Sequence, residues 1–312
     1  MKRYLLLVLV LVARFTVSMA QTPNGPVYLF AYFKGNGEDG LHLAYSHDGF
    51  TWTALKNDSS FLTPTAGKDK LMRDPCIIRG PKGEFHMVWT VSWNEKGIGY
   101  ASSKDLIHWS EQKSIPVMEH EPGTLNCWAP EIYYEADKKR YMIYWATTIP
   151  GRFPKGDSAG DNKYNHRLYY VTSNDCKTFS KAQILYDQGF NVIDGTILRR
   201  NNKYVMLLKD ETRYPPQKNL HLAYSDQLTG GYGKPSEPIT GKYWAEGPTV
   251  LQKGDSVLVY FDKYTEHKYG LIVSTDMKTW VEHSDKLSMP KGIRHGTVLT
   301  ITKKELQHLL NE

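Results

Sequence analysis

Apolar and polar residues alternate along this chain in short runs, the pattern of half-buried β-strands rather than of helices. Four runs stand out: Glu84-Phe85-His86-Met87-Val88-Trp89-Thr90, Tyr141-Met142-Ile143-Tyr144-Trp145, Lys203-Tyr204-Val205-Met206-Leu207-Leu208 and Ser256-Val257-Leu258-Val259-Tyr260-Phe261. Their β-branched and aromatic residues pack well on a pleated surface. Each follows a turn signal: Pro81-Lys82-Gly83, Ala136-Asp137-Lys138, Asn201-Asn202 or Lys253-Gly254-Asp255. Helical periodicity is confined to the stretch from Lys303 to Leu310. The pattern predicts an all-β domain.

A repeat lies in the turns. Tyr45-Ser46-His47-Asp48-Gly49-Phe50-Thr51-Trp52 returns as Ser102-Ser103-Lys104-Asp105-Leu106-Ile107-His108-Trp109, as Thr172-Ser173-Asn174-Asp175-Cys176-Lys177-Thr178-Phe179, and as Val273-Ser274-Thr275-Asp276-Met277-Lys278-Thr279-Trp280. A degenerate copy starts at Tyr224-Ser225-Asp226 and runs to Tyr232. The unit reads as a hairpin: a strand ends at Ser, Asp closes the turn by accepting backbone N–H groups, and an aromatic opens the next strand. Successive aspartates are 57, 70, 51 and 50 residues apart, which suits the four-stranded blades of a β-propeller. Five copies predict five blades, with the aspartates shaping turns.

Ahead of each long strand lies another that opens on a polar cluster: Arg73-Asp74-Pro75, Ala129-Pro130-Glu131, Ile193-Asp194-Gly195, Ala245-Glu246-Gly247-Pro248 and Arg294-His295-Gly296. Asp74, Glu131, Asp194, Glu246 and His295 follow the blade period. The first strand of a propeller blade lines the central channel, so these five side chains are expected to converge there. The segments near Tyr28 to Phe33, Leu41 to Tyr45 and Trp52 to Leu55 supply three strands before Asp74, and a single inner strand, His295 to Ile301, follows Trp280. Together the two ends complete one blade and remove an exposed sheet edge.

Composition changes this picture little. The first twenty residues combine Lys2 and Arg3, an apolar run from Tyr4 to Ala13, and Ser18-Met19-Ala20. They read as a signal peptide, so the protein is expected to be exported, periplasmic or secreted, with residues 21–312 forming one catalytic propeller. Without Lys2, Arg3 and Arg14 the formal charge falls from +6 to +3, and no basic run suggests nucleic acid. No later stretch approaches the roughly 20 apolar residues of a membrane span. The three cysteines, Cys76, Cys127 and Cys176, are too few and too far apart for a disulfide scaffold or a zinc site, and read as buried thiols. Eight Trp and 21 Tyr permit stacking on sugar rings.

Grouped carboxylates in a partly dry cleft drive one another's proton affinities apart, giving one donor and one acceptor near neutral pH. Hydrolysis of a glycosidic bond needs that pair, and an inverting enzyme holds it about 6.5–9.5 Å apart to admit water.

These clusters resemble glycoside hydrolase family 43, five-bladed propellers that include arabinofuranosidases, β-xylosidases, endo-arabinanases and exo-galactanases. The resemblance runs from about residue 26 to 302. It rests on Arg73-Asp74-Pro75, Trp128-Ala129-Pro130-Glu131, Ile193-Asp194-Gly195, Glu246-Gly247-Pro248 and Arg294-His295-Gly296, in the family's order. It implies that Asp74 is the general base, Glu246 the general acid, and Asp194 the residue that holds and tunes the acid. His295 would bond water or an ion at the axis. No cofactor is required, although a structural calcium ion near the axis is compatible with the pattern. Glu131, Trp128, Trp93, Trp244, Arg294 and His295 are candidates for substrate contacts. Gly195 stands where the family has Pro, Glu131 where it has Asp, and three strands precede the base. The last departure leaves a second assignment, as in families 32 and 68, with Asp74 and Glu131 as the active pair. The nucleophile expected one blade earlier is missing, which favours the inverting assignment.

The expected function is removal of a terminal pentose, α-L-arabinofuranose, from plant-type polysaccharide by a monomer. The insertion Ile149 to Arg167 is a candidate pocket wall. A β-xylosidase or exo-β-galactosidase on the same fold, a phosphorylase using Arg73 and Arg294, and a non-catalytic glycan-binding propeller are the alternatives.

Overall fold

A computed structural model describes residues 25–154 and 164–312. Residues 1–24, on which the expected signal peptide falls, and the middle of the insertion, residues 155–163, lie outside the described residues. Five sheets form a ring, a five-bladed β-propeller.

The chain begins with β1 (Val27–Lys34), β2 (His42–Ser46) and β3 (Thr53–Ala54). The first blade holds β4 (Arg73–Arg79), β5 (Phe85–Thr90), β6 (Ile98–Ser103) and β7 (Lys113–Ile115). The second holds β8 (Trp128–Glu135), β9 (Arg140–Thr147), β10 (Arg167–Ser173) and β11 (Gln183–Tyr186). The third consists of β12 (Val192–Arg200), β13 (Lys203–Asp210) and β14 (Leu220–Ser225). The fourth holds β15 (Glu246–Lys253), β16 (Ser256–Lys263), β17 (Lys268–Ser274) and β18 (Val281–Glu282). Finally β19 (Ile293–Ile301) pairs with β1 from Val27↔Ile301 to Tyr32↔Gly296 and becomes the inner strand of the closing blade. The helix α1 (Lys303–Leu310) caps the end, docked by Arg79 on Glu305 at 2.8 Å.

The turn repeat works as its sequence suggests. In four hairpins Oδ1 of Asp48, Asp105, Asp175 and Asp276 accepts the backbone N–H groups two and three residues ahead, at 2.7–3.0 Å. The fifth copy differs. Asp226 instead pairs with Lys203, and Ser225 bonds the Gly230 carbonyl. The following chain carries Gly230, Gly231, Pro235 and Pro238 and touches β14 only at intervals, such as Ser236 N–H to the Leu222 carbonyl. Proline has no donor for a ladder, so the third blade keeps three strands where four were expected.

The core lies between blades. Phe30 packs edge-on against Trp52, Tyr260 and Tyr269 with centroids 5.3–5.8 Å apart, joining the closing blade to the fourth. Cys76, Cys127 and Cys176 are buried and free. Polar stitches tie the inner strands together at the axis. Thr297 Oγ1 donates to the Pro75 carbonyl and accepts from Ile77 N–H, while Thr249 Oγ1 accepts from Val298 N–H.

One distortion positions the site. The ladders of β4, β8, β12 and β15 each slip near their start, between Arg73 and Cys76, Trp128 and Glu131, Ile193 and Thr196, and Glu246 and Thr249. At each slip one residue has a positive φ: Asp74 (52°), Ala129 (46°), Asp194 (52°) and Gly247 (58°). A bulge re-aims its side chain, and Asp tolerates this backbone better than most residues. Pro75, Pro130 and Pro248 follow three of these positions, where a missing N–H costs nothing because the ladder is already broken.

Candidate active site

The bulges open on a cavity of about 410 Å³ lined by Asp74, Asp194, Glu246, Glu211, Arg73, Arg294 and His295, with Trp93, Trp128, Ala129 and Asn36 among the remaining wall residues. Strands from all five blades contribute. Each carboxylate is held differently. Asp74 accepts a hydrogen bond from Thr90 Oγ1 at 2.8 Å and faces His295 Nδ1 at 3.4 Å. Burial opposes its ionisation, but the imidazolium of His295, with Arg73 and Thr90, outweighs burial and holds the carboxyl down at about 2. Asp194 accepts the backbone N–H of Gly247 at 2.9 Å. Burial, with repulsion from Glu246 and Asp74, raises its affinity for a proton.

Glu246 sits between two cations, with Arg294 Nη2 at 3.1 Å from Oε1 and Lys209 Nζ at 2.9 Å from Oε2. Burial resists its ionisation, yet Lys209 and Arg294 prevail and pull it below the usual carboxylate range. Burial likewise disfavours a charged His295, but Asp74, Asp194 and Glu131 raise the imidazole to about 9. Gly247 makes room for that ring, since a Cβ there would lie 2.3 Å from His295 Cγ.

Among the described residues no three His, Cys, Asp or Glu side chains converge to hold a metal ion. With its imidazole raised to about 9, His295 favours its protonated form near neutral pH and sets a positive charge among the carboxylates.

Several expectations need correction. Glu131 is out of phase with Asp74 and Asp194 by two residues, and Ala129 occupies the equivalent bulge. Glu131 shares its register with Cys76, Thr196, Thr249 and Thr297, and with them lines a second cavity of about 450 Å³ at the opposite end of the axis. Its Oε2 accepts from Tyr144 Oη at 2.6 Å, which in turn accepts Ile197 N–H, so it stitches the second blade to the third. Burial raises its carboxyl to about 7. Glu131 therefore lines the second cavity and Asp74 the first, so the two do not share a cavity wall. Trp244 is not in the cavity wall either; it packs near Lys218, Arg213 and Tyr264.

Trp93 and Trp128 do form a wall. Their rings meet edge-on at 5.5 Å, and Trp128 packs against Tyr164 and His166, which flank the end of the insertion. Arg294 lines the cavity but is tied to Asp262 at 2.5 Å as well as to Glu246. Arg73 is stacked between Phe33 and Trp93, its guanidinium carbon 4.7 and 4.3 Å from their centroids, and donates to Asn36.

Sequence reading missed Lys209, Glu211, Lys218 and Asp262. A signal was there: Lys209 and Asp262 are charges at the inner ends of the apolar runs of β13 and β16, opposite Ile193 and Glu246.

A family described as a probable glycosyl hydrolase domain matches residues 25–307. A curated α-L-arabinofuranosidase of Bifidobacterium longum subsp. longum is 23% identical over 189 residues, covering 53% of this chain and 17% of that protein. This chain thus corresponds to a small part of that relative. A thermostable family-43 glycoside hydrolase superposes with a TM-score of 0.52 at 17% identity, over 68% of this chain and 71% of the other. A family-43 β-1,3-galactosidase does so with a TM-score of 0.51 at 15% identity, over 71% and 48%. At these identities the two structures speak for the fold, and the family match over nearly all of the described residues carries the assignment. The chain belongs to the glycosyl hydrolases of, and related to, glycoside hydrolase family 43.

Proposed function

We propose that this protein is an inverting, exo-acting glycoside hydrolase that removes terminal pentose, α-L-arabinofuranose, from plant-type polysaccharide. The observation that carries the reading is the meeting of Asp74, Asp194 and Glu246, from three blades, in one cavity beside aromatic walls. About 410 Å³ is near the small end of ligand pockets, about 300–1,000 Å³, and suits one terminal sugar better than a continuous chain. Arabinose is favoured over xylose and galactose by the curated relative's name alone.

In this mechanism Asp74, fully ionised, accepts a proton from water as the water oxygen bonds to the anomeric carbon. The bond from that carbon to the leaving oxygen breaks, and Glu246 protonates the leaving oxygen. Glu246 ends as a carboxylate between Lys209 and Arg294. Asp194 repels negative charge on Glu246 and so favours the proton-loaded acid before reaction. One displacement inverts the anomeric centre.

Export through residues 1–20 and action as a monomer belong to the same proposal; N-terminal sequencing of the mature protein and its mass in solution test them. The chemistry is tested by assaying aryl glycosides and plant polysaccharides with wild type and Glu246→Gln, with NMR of the first-formed anomer. Loss of polysaccharide hydrolysis with retained cleavage of activated aryl glycosides supports the acid role. Full activity of Glu246→Gln, or a product of retained configuration, would refute the mechanism.

A further inference from the structure

Along one side of the cavity charges alternate in sign through six side chains, Lys218, Glu211, Lys209, Glu246, Arg294 and Asp262, of which Glu211, Glu246 and Arg294 line it. Lys209 and Lys218 are each only 1% exposed. A buried ammonium is costly unless paired, and Lys209 has two carboxylates, Glu246 at 2.9 Å and Glu211 at 2.6 Å, with the Tyr264 ring 4.5 Å from its Nζ. Both oxygens of Glu246 therefore face cationic donors. Such an arrangement suits a carboxylate. A proton on Oε2 requires Lys209 to let go of that oxygen, and Glu211, already 2.6 Å from its Nζ, is the carboxylate that holds it when it does. Arg294 has less freedom, being fixed to Asp262 at 2.5 Å.

Resting on the reading of Glu246 as proton donor, we propose that Lys209 is a positioning residue which, by moving between Glu246 and Glu211, governs when Glu246 holds its proton and how readily it releases it. Withdrawn, Lys209 leaves room for the loaded acid; returned, it stabilises the carboxylate left behind when the proton goes to the leaving oxygen. No bond to Lys209 forms or breaks.

The other charged groups around Glu246 do not account for the clamp. Asp194 from β12 and Asp262 from β16 disfavour a second negative charge, while Tyr264 and Tyr269, their phenols pushed up by burial, stay neutral. His295 and Arg294 from β19 favour it, and Lys209 from β13 does so most strongly of the charges.

The test follows the Glu246 carboxyl by ¹³C NMR titration of the full chain, assigned with Glu246→Gln, alongside the pH profile of kcat/KM. Lys209→Met is expected to move the Glu246 titration and the alkaline limb upward by about one pH unit or more, at least tenfold in proton affinity. Glu211→Gln, which leaves Lys209 to Glu246 alone, is expected to move both downward. Lys209→Arg should stay near wild type. A purely structural role would lower activity without opposite shifts. Unmoved titrations, or shifts of the same sign, overturn the proposal; if Lys209→Met does not fold, an unmoved or upward shift in Glu211→Gln overturns it alone. Because the titration needs no substrate, a chain that hydrolyses no glycoside defeats the enzymatic reading and still leaves the Lys209 coupling to be decided.

Discussion

His295 Nδ1 stands 3.4 Å from Oδ1 of Asp74, placing a cation from the last strand beside the candidate base on the first blade. The two residues are 221 positions apart, and only closure of the ring brings them together. An opposite charge at this range lowers a carboxyl by about 1–3 pH units. In His295→Gln the acidic limb of kcat/KM is expected to rise by about that amount, with kcat reduced at pH 5 and recovering toward neutrality. An unshifted limb would mean that Asp74 owes its ionisation to other partners.

Stability should fall as pH rises from mildly acidic to alkaline values. His295 is raised from 6.5 to about 9, so the stability it contributes is complete below about 6.5 and is lost as pH climbs through 9. Glu131, raised from 4.5 to about 7, behaves alike: its contribution is complete below about 4.5 and lost through 7. Asp74, lowered to about 2, acts in the opposite sense: its contribution is complete above about 3.8 and lost as pH falls through 2. His295 and Glu131 each carry on the order of 3 kcal/mol. Thermal unfolding should be most resistant near pH 4–5, and Glu131→Gln should flatten the decline between pH 4.5 and 7 while KM stays unchanged. A wild-type melting curve independent of pH between 5 and 9 would contradict the argument.

Trp93 is 41% exposed at the cavity mouth, donates to Asn36 and stacks on Arg73. Trp93→Ala is expected to raise KM about tenfold, equivalent to about 1.4 kcal/mol, with little change in kcat. A drop confined to kcat would show that the indole aligns the reacting groups instead of holding the sugar.

Gly296 lies in the ladder that closes the ring, where an added Cβ would come within 1.9 Å of the Ala31 carbonyl oxygen. Backbone cannot yield there without parting β1 from β19. Gly296→Ala should cost more than about 3 kcal/mol, within the range of severe single substitutions, read as a large loss in melting temperature. A near-native melting temperature would show that the closing strands tolerate separation.

Local chemistry was enough to reveal the blades. A hairpin whose Asp accepts two neighbouring N–H groups is complete within eight residues, and it is written the same way at Asp48, Asp105, Asp175 and Asp276. The period of those turns also located Asp74, Asp194, Glu246 and His295 at the starts of inner strands. Register within a bulge is not local in that sense. Whether the inward residue is Asp74 or the one two places later depends on which residue takes the left-handed backbone, and that is set by pairing with the neighbouring strand. Hence Glu131 passed for a member of the site although Ala129 holds its place.

The charge chain was invisible for a related reason. Lys209 and Glu246 are joined by blade-to-blade packing across 37 positions, and no spacing rule links the second strand of one blade to the first of the next. By itself the sequence determined the repeating unit, the number of blades and the carboxylates presented to the axis, because these follow from short-range hydrogen bonding and strand period. Tertiary structure alone decided which end of the axis each group faces and which cation holds it, because electrostatics in a buried site depends on distances through space.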